Sequence, residues 1–389
     1  MDPALLALFT GATLASLFMA WAIGAGSSGA TPFAPAVGAN AIATMRAAFV
    51  VGIFGFAGAV TQGANVSETV GGGLVGGVTL PVAGVIMVLL IGAGLMAIGI
   101  TTGYPIATAF TVTGSVIGVG LALGGTPVWA TYREVAAVWL LTPLVGGAIA
   151  YAIASVLPRP DVPERYSVAA LAGLVGAVLV NVQFSFLGPD GGTVAATGRG
   201  LLPVDGVLGT GLVTLVGASV VAAVVWWDVA RDMAGGLNRV LLALGSLVAF
   251  SAGGSQVGLA VGPLLPLFDE SAMVSTGVVL VGGGAGILVG SWTGAPRMIK
   301  SLAQDYSSLG PRRSIAALVP SFLIAQLAVL LGVPVSFNEI VVSAILGSGA
   351  AVGGWSAVDP RKLLVTAGAW AGSFVLALVL TYAVAATAL

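Results

Sequence analysis

Trp21-Ala22-Ile23-Gly24-Ala25-Gly26-Ser27-Ser28-Gly29 interrupts an apolar run near the start of the chain. Phe250-Ser251-Ala252-Gly253-Gly254-Ser255-Gln256-Val257-Gly258 interrupts another beyond its middle. Each is followed by a proline in matching surroundings, Gly103-Tyr104-Pro105-Ile106-Ala107-Thr108 and Gly332-Val333-Pro334-Val335-Ser336-Phe337, and Gly24 to Pro105 and Gly253 to Pro334 are both 81 residues. Matched Gly/Pro-interrupted segments in two halves of a chain point to the substrate site of a secondary transporter. The pattern predicts one broken helix at Gly24–Gly29 and another at Gly253–Gly258. The free N–H groups of a broken helix cannot face lipid, and its electropositive end favours an anion. A single Gly/Ser cluster is explained as well by close helix packing. Two clusters at equal distance from a proline favour a site.

Outward from these stretches the chain is apolar almost throughout. Of 389 residues, 13 are basic and 14 acidic, so 7% are charged, and 58% are hydrophobic. A soluble fold needs more polar surface than that, which excludes a soluble enzyme and a disordered chain. The net charge of −1 offers no field for a nucleic acid. Without His or Cys, disulfides, thiolate chemistry, Ser-His triads and the usual zinc sites are also excluded. A bilayer core about 30 Å thick takes about 20 apolar residues per helix. About twelve candidate spans or half-spans follow, from Leu5–Ile23 to Leu363–Leu389, joined by short polar loops such as Arg159–Arg165, Gly188–Asp205 and Asp228–Arg239. The expected fold is an all-α polytopic membrane protein with two related repeats, 1–156 and 238–389, of inverted topology, and middle spans and loops at 157–237. Arg46, Arg231, Arg239, Arg297, Lys300, Arg312 and Arg313 set inside would put the N-terminus outside the cell membrane. Trp226–Trp227 and Trp292 read as interfacial anchors.

These motifs resemble those of the inorganic phosphate transporter (PiT) family over most of the first 125 residues and most of the chain from 240 onward. The family repeats a G-A-N-D-x-A-N-A segment, matched here by Gly24–Ser27 and Gly253–Gln256, and a G-L-P-x-S-T-T-H segment, matched by Gly103–Phe110 and Gly332–Glu339. Ser27 and Gln256 stand where the family has aspartates that help bind sodium and phosphate, Gly26 and Ser255 replace its asparagines, and Phe110 and Glu339 replace its histidines. The departures resemble the family's sulfate permease branch. The resemblance implies a cation-coupled permease for a tetrahedral oxyanion, forming a homodimer, with no cofactor beyond a transported sodium ion or proton.

Sulfate only accepts hydrogen bonds near neutral pH, whereas hydrogen phosphate also donates. A site built from donors therefore suits sulfate, and buried carboxylates suit phosphate. The expected donors are Ser27, Ser28, Thr31, Thr108, Ser251, Ser255, Gln256, Ser336 and Asn338, with backbone N–H groups around Gly26 and Gly254. On this reading sulfate is the favoured substrate, with inorganic phosphate and an anion channel as the alternatives. Glu339 is the expected coupling group, since ionisable residues at membrane depth are rare and default to function; the alternative is an acid at a helix N-terminus. Glu68 reads chiefly as a loop or cap acid, with a gate role as the alternative. No metal centre is expected, and an intramembrane enzyme lacks the nucleophile–base pair it would need.

Overall fold

The computed structural model describes residues 3–187, 192–204, 206–269, 274–304, 306, 308–354 and 360–389. The loop expected at Gly188–Asp205 lies partly outside them, at 188–191 and 205. The chain begins with α1 (Pro3–Gly26), α2 (Ala34–Gly38), α3 (Thr44–Gln62), α4 (Ala64–Gly72), α5 (Val82–Thr102), α6 (Thr108–Ala122) and α7 (Trp129–Val156). The middle holds α8 (Glu164–Leu179), α9 (Val194–Gly198) and α10 (Gly206–Arg231). The last part holds α11 (Met233–Val261), α12 (Leu265–Asp269), α13 (Thr276–Thr293), α14 (Ala295–Gln304), α15 (Pro311–Leu331), α16 (Phe337–Gly353) and α17 (Pro360–Ala388). Two short antiparallel pairings, Val75–Gly76 with Thr126–Pro127 and Gln183–Phe184 with Gly192–Thr193, tie loops together.

Among the described residues nine helices are long and apolar enough to cross a membrane, and α6 and α16 are shorter apolar helices. The expected count of about twelve included half-spans, and these nine and two make eleven among the described residues. The sequence run Tyr104–Leu123 loses its first residues to the proline motif, because Gly103 stops α5 at φ +79° and Pro105 keeps the next residues out of the helix. Gly332 stops α15 in the same way at φ +66°. Both α5 and α15 contain 21 residues, and each end is displaced by 229 (311 − 82 and 331 − 102). The starts of α6 and α16 are displaced equally.

One expectation is corrected. The first glycine stretch does end a helix: α1 stops at Gly26, and 27–33 turn before α2. The second does not, because α11 runs unbroken through Gly253–Gly258 to Val261 before a single 3-10 turn at Gly262–Leu264. Its glycines serve contact. A Cβ at Gly253 would strike the carbonyl oxygen of Gly55 on α3, and one at Gly254 would lie 2.8 Å from the Gln62 Cβ. Membrane helices lack a hydrophobic drive toward each other, so small residues that let backbones touch carry much of the packing.

The same contacts fix helix directions. Gly286, Gly290 and Gly294 of α13 and its end face Ala20, Trp21 and Ala25 of α1 in order, so α1 and α13 run the same way. Gly52, Gly55 and Gly63 of α3 and its end face Trp292, Ile287 and Leu280, so α3 and α13 run oppositely. Gly58 and Gly63 face Phe250 and Val257, so α3 and α11 run together. Hence α1 and α11 point in opposite directions. The two parts of the chain also exchange partners, α6 packing along α17 and α16 along α7. Two apolar cores result, one around Phe33, Phe322 and Phe337 and the other around Met19, Leu89 and Leu259.

Candidate substrate site

Every polar side chain expected at the site is buried: Ser27, Ser28, Thr31, Thr108, Ser251, Ser255, Gln256, Ser336 and Asn338 are 0% exposed and Glu339 is 2%. Asn338, in the first turn of α16, is the junction. Its Nδ2 donates to the carbonyl of Gly26 at the end of α1 (3.0 Å) and to that of Ile106 just before α6 (2.7 Å). Gln256 on α11 donates through Nε2 to the Val335 carbonyl (2.9 Å). Those bonds draw the end of α1, the middle of α11 and the approaches to α6 and α16 together. The N-termini of α6 and α16 carry amide groups that no intrahelical acceptor takes, and a positive dipole end.

Buried polar groups are nearly always paired. Among the described residues ten side-chain atoms are not. Three are Thr113 Oγ1, Ser115 Oγ and Tyr132 Oη; the other seven are Ser27 Oγ, Thr108 Oγ1, Ser255 Oγ, Gln256 Oε1, Ser336 Oγ, Asn338 Oδ1 and Glu339 Oε2. All seven belong to residues expected at the site. Leaving each such atom buried and unpaired costs about 1–3 kcal/mol. The amide orientations are fixed, because Gln256 Nε2 and Asn338 Nδ2 both face backbone carbonyls, which only accept. Gln256 Oε1 and Asn338 Oδ1 are therefore acceptors in need of a donor or a cation.

The remaining expected residues are placed differently. Ser28 and Thr31 donate to the carbonyls of Ile23 (3.5 Å) and Ser27 (3.2 Å), which finishes α1. Ser251 donates to Leu247 and accepts from Gln326 Nε2 (2.6 Å). Gly26 supplies its carbonyl to Asn338, and Gly254 packs on Gln62 and Gly58. Arg46 and Glu68 are exposed.

Sequence reasoning missed four residues. The indole of Trp139 on α7 donates to the Pro334 carbonyl (2.9 Å), and the indole of Trp370 on α17 donates to the Pro105 carbonyl (2.8 Å). Each proline motif is thus held by a tryptophan from the other part of the chain. Gln62 and Gln326, both 7% exposed, pair with each other (Gln326 Nε2 to Gln62 Oε1, 3.3 Å), and Gln62 also donates to the Gln183 carbonyl (2.9 Å). A lone glutamine inside an apolar span is the signal that would have found them.

Residues 23–381 match the model of the phosphate transporter family. The chain belongs to that family. Among its relatives, a protein of Pyrococcus abyssi named as a phosphate permease is 28% identical over 371 residues, covering 91% of this chain and 90% of that one. The chloroplastic inorganic phosphate transporter 2-1 of Arabidopsis thaliana is 25% identical over 399 residues, covering 87% of this chain and 65% of that one. A solved structure titled as the sodium-dependent phosphate transporter shares the fold, with a TM-score of 0.81 at 22% identity, covering 98% of this chain and all of that one. The family and the nine apolar helices make this a multi-pass membrane protein of a transporter family. The sulfate branch finds no support: the relatives are named as phosphate permeases.

Proposed function

We propose that the protein is a secondary active transporter that carries inorganic phosphate across the cell membrane in symport with a cation. The observation that carries this reading is the buried cluster of unpartnered polar atoms where α1, α6, α11 and α16 meet, in a chain of the phosphate transporter family. The donor-only argument for sulfate does not survive the geometry. Gln256 Oε1 and Asn338 Oδ1 are unpartnered acceptors, and hydrogen phosphate has a proton to offer them where sulfate has none. Ser27, Thr108, Ser255 and Ser336 supply hydroxyl donors for the remaining oxygens. Amide, hydroxyl and carboxylate oxygens are also the ligands that small hard cations take. Glu339 is the group on which a sodium ion or a proton would travel.

The reading includes two inverted repeats working around one site. Supporting it are the equal displacement of α5 and α15, the opposed directions of α1 and α11 and the reciprocal tryptophan bonds. An N-terminus outside the cell has support as well. Trp292, near the end of α13, donates to Phe49, near the start of α3 (3.1 Å), which puts Arg46 and Arg297 on one side of the membrane. Since α1 runs with α13, it starts on the opposite side.

The test is uptake of labelled phosphate and sulfate into proteoliposomes holding the whole chain, under imposed sodium or proton gradients. Phosphate uptake driven by one of the two gradients, with sulfate at least about tenfold slower (about 1.4 kcal/mol), is the expected result. Equal or faster sulfate uptake would restore the sulfate reading, and no gradient-driven uptake of either anion would reject transport.

A further inference from the structure

A cavity of about 350 Å³ lies beside the site, lined among others by Gln62, Asn65, Glu68, Gln183 and Ser185. Gln62 stands at its inner wall. Behind Gln62 come Gln326, bonded to it, and Ser251, bonded to Gln326. Ser251 is one helical turn from Ser255, whose hydroxyl is unpartnered. The Gln62 side chain also faces Gly254, the residue before Ser255. The chain of contacts therefore runs cavity, Gln62–Gln326, Ser251, site, with a polar side chain at each step.

We infer that the cavity is the antechamber through which small hydrated ions reach the buried site, and that the Gln62–Gln326 pair is the latch between them. The inference rests on the transport reading above. Three features set this wall apart. The latch is two neutral amides, which exchange a bond to each other for bonds to water at small net cost. It is held to the middle of the chain by a single bond, Gln62 Nε2 to the Gln183 carbonyl, so a shift of the Gln183–Phe184 pairing loosens it. And it has no counterpart. The residues displaced by 229 from Gln62 and Gln326 are Ser291 and Ala97. Ser291 bonds within its own helix to Ile287, and there Gly24 presses on the Ile287 carbonyl and Gly29 on the Ser291 side chain. One approach to the site is closed by a polar pair, and the equivalent place on the other is closed by backbone contact. The carboxylate of Glu68 is the one charge among the residues lining the cavity, so a cation is drawn in ahead of the anion.

The chain contains no cysteine, so single cysteines can report access without background. In proteoliposomes holding the full chain, Asn65→Cys in the cavity and Ser255→Cys behind the latch are treated with a membrane-impermeant methanethiosulfonate from either side. Asn65→Cys is expected to react from one side only, and Ser255→Cys slowly from that same side. Adding Gln62→Ala and Gln326→Ala should speed the Ser255→Cys reaction about tenfold, or about 1.4 kcal/mol. If the alanine pair does not fold, as judged by its elution profile, Gln62→Asn with Gln326→Asn shortens the latch while keeping it polar, with about a threefold increase expected (about 0.65 kcal/mol). An unchanged Ser255→Cys rate in the folded latch variant, or reaction from the opposite side, overturns the latch. Labelling needs no transport, so its outcome is separate from failure of phosphate uptake.

Discussion

The two proline motifs share a backbone and differ in chemistry. Gly103 and Gly332 end α5 and α15 in the left-handed conformation, and α6 and α16 restart at equivalent positions. Beyond that the residues diverge. In the first motif Ala107, Thr108, Ala109 and Phe110 leave one unpartnered hydroxyl, and the Phe110 ring stacks on Trp139 with centroids 3.7 Å apart. In the second, Ser336, Asn338 and Glu339 contribute three unpartnered oxygens, and Asn338 ties three segments together. Two backbone turns of the same shape need not carry the same chemistry: the first sets one unpartnered hydroxyl beside a ring stack, and the second holds three unpartnered oxygens.

The sharpest way to break that comparison is Glu339→Gln. If its carboxyl is a partner of substrate or cation, the change should slow phosphate uptake about 100-fold, at about 2.7 kcal/mol, and flatten its pH dependence in proteoliposomes. Uptake within threefold of the parent would mean the second tip does not carry the chemistry. Next comes Asn338→Ala, which leaves the Gly26 and Ile106 carbonyls without their donor. It should cost about 2–4 kcal/mol of stability, read as a lowered melting midpoint in detergent. Trp139→Phe and Trp370→Phe each remove one indole bond to a tip. Each should cost about 1 kcal/mol, and a matched loss from the two would show the tips equally braced. Phe110→Leu should be milder in function, losing about 0.5–1.5 kcal/mol of ring stacking and leaving uptake within about threefold. A loss as deep as that of Glu339→Gln would erase the contrast. Smallest is Arg312→Gln, which removes the ion pair with Glu164 (2.7 Å) on a half-exposed arginine. It should move stability by under about 1 kcal/mol.

Much of this was legible in the residues. Apolar runs fix the helical character, and Gly103–Pro105 and Gly332–Pro334 mark where two helices stop. What misled was glycine. Gly24–Gly29 and Gly253–Gly258 look alike in sequence and both pack closely on a neighbouring helix, yet only the first ends a helix. A chain reads the same whether its glycines bend it or admit a neighbour. The expectation of donors alone at these residues failed for a related reason: an amide offers both a donor and an acceptor, and only the carbonyls of Val335, Gly26 and Ile106 decide which of the two is left over. Gln62 and Gln326 come from helices far apart in sequence, so their pairing is a property of the folded chain alone.

The crossed indole bonds also constrain how the molecule moves. Trp139 rides on α7 but grips Pro334, and Trp370 rides on α17 but grips Pro105. A tilt of either long helix that kept its indole bond would carry the opposite proline motif with it. The protein is braced like a pair of scissors whose blades are pinned to each other's handles.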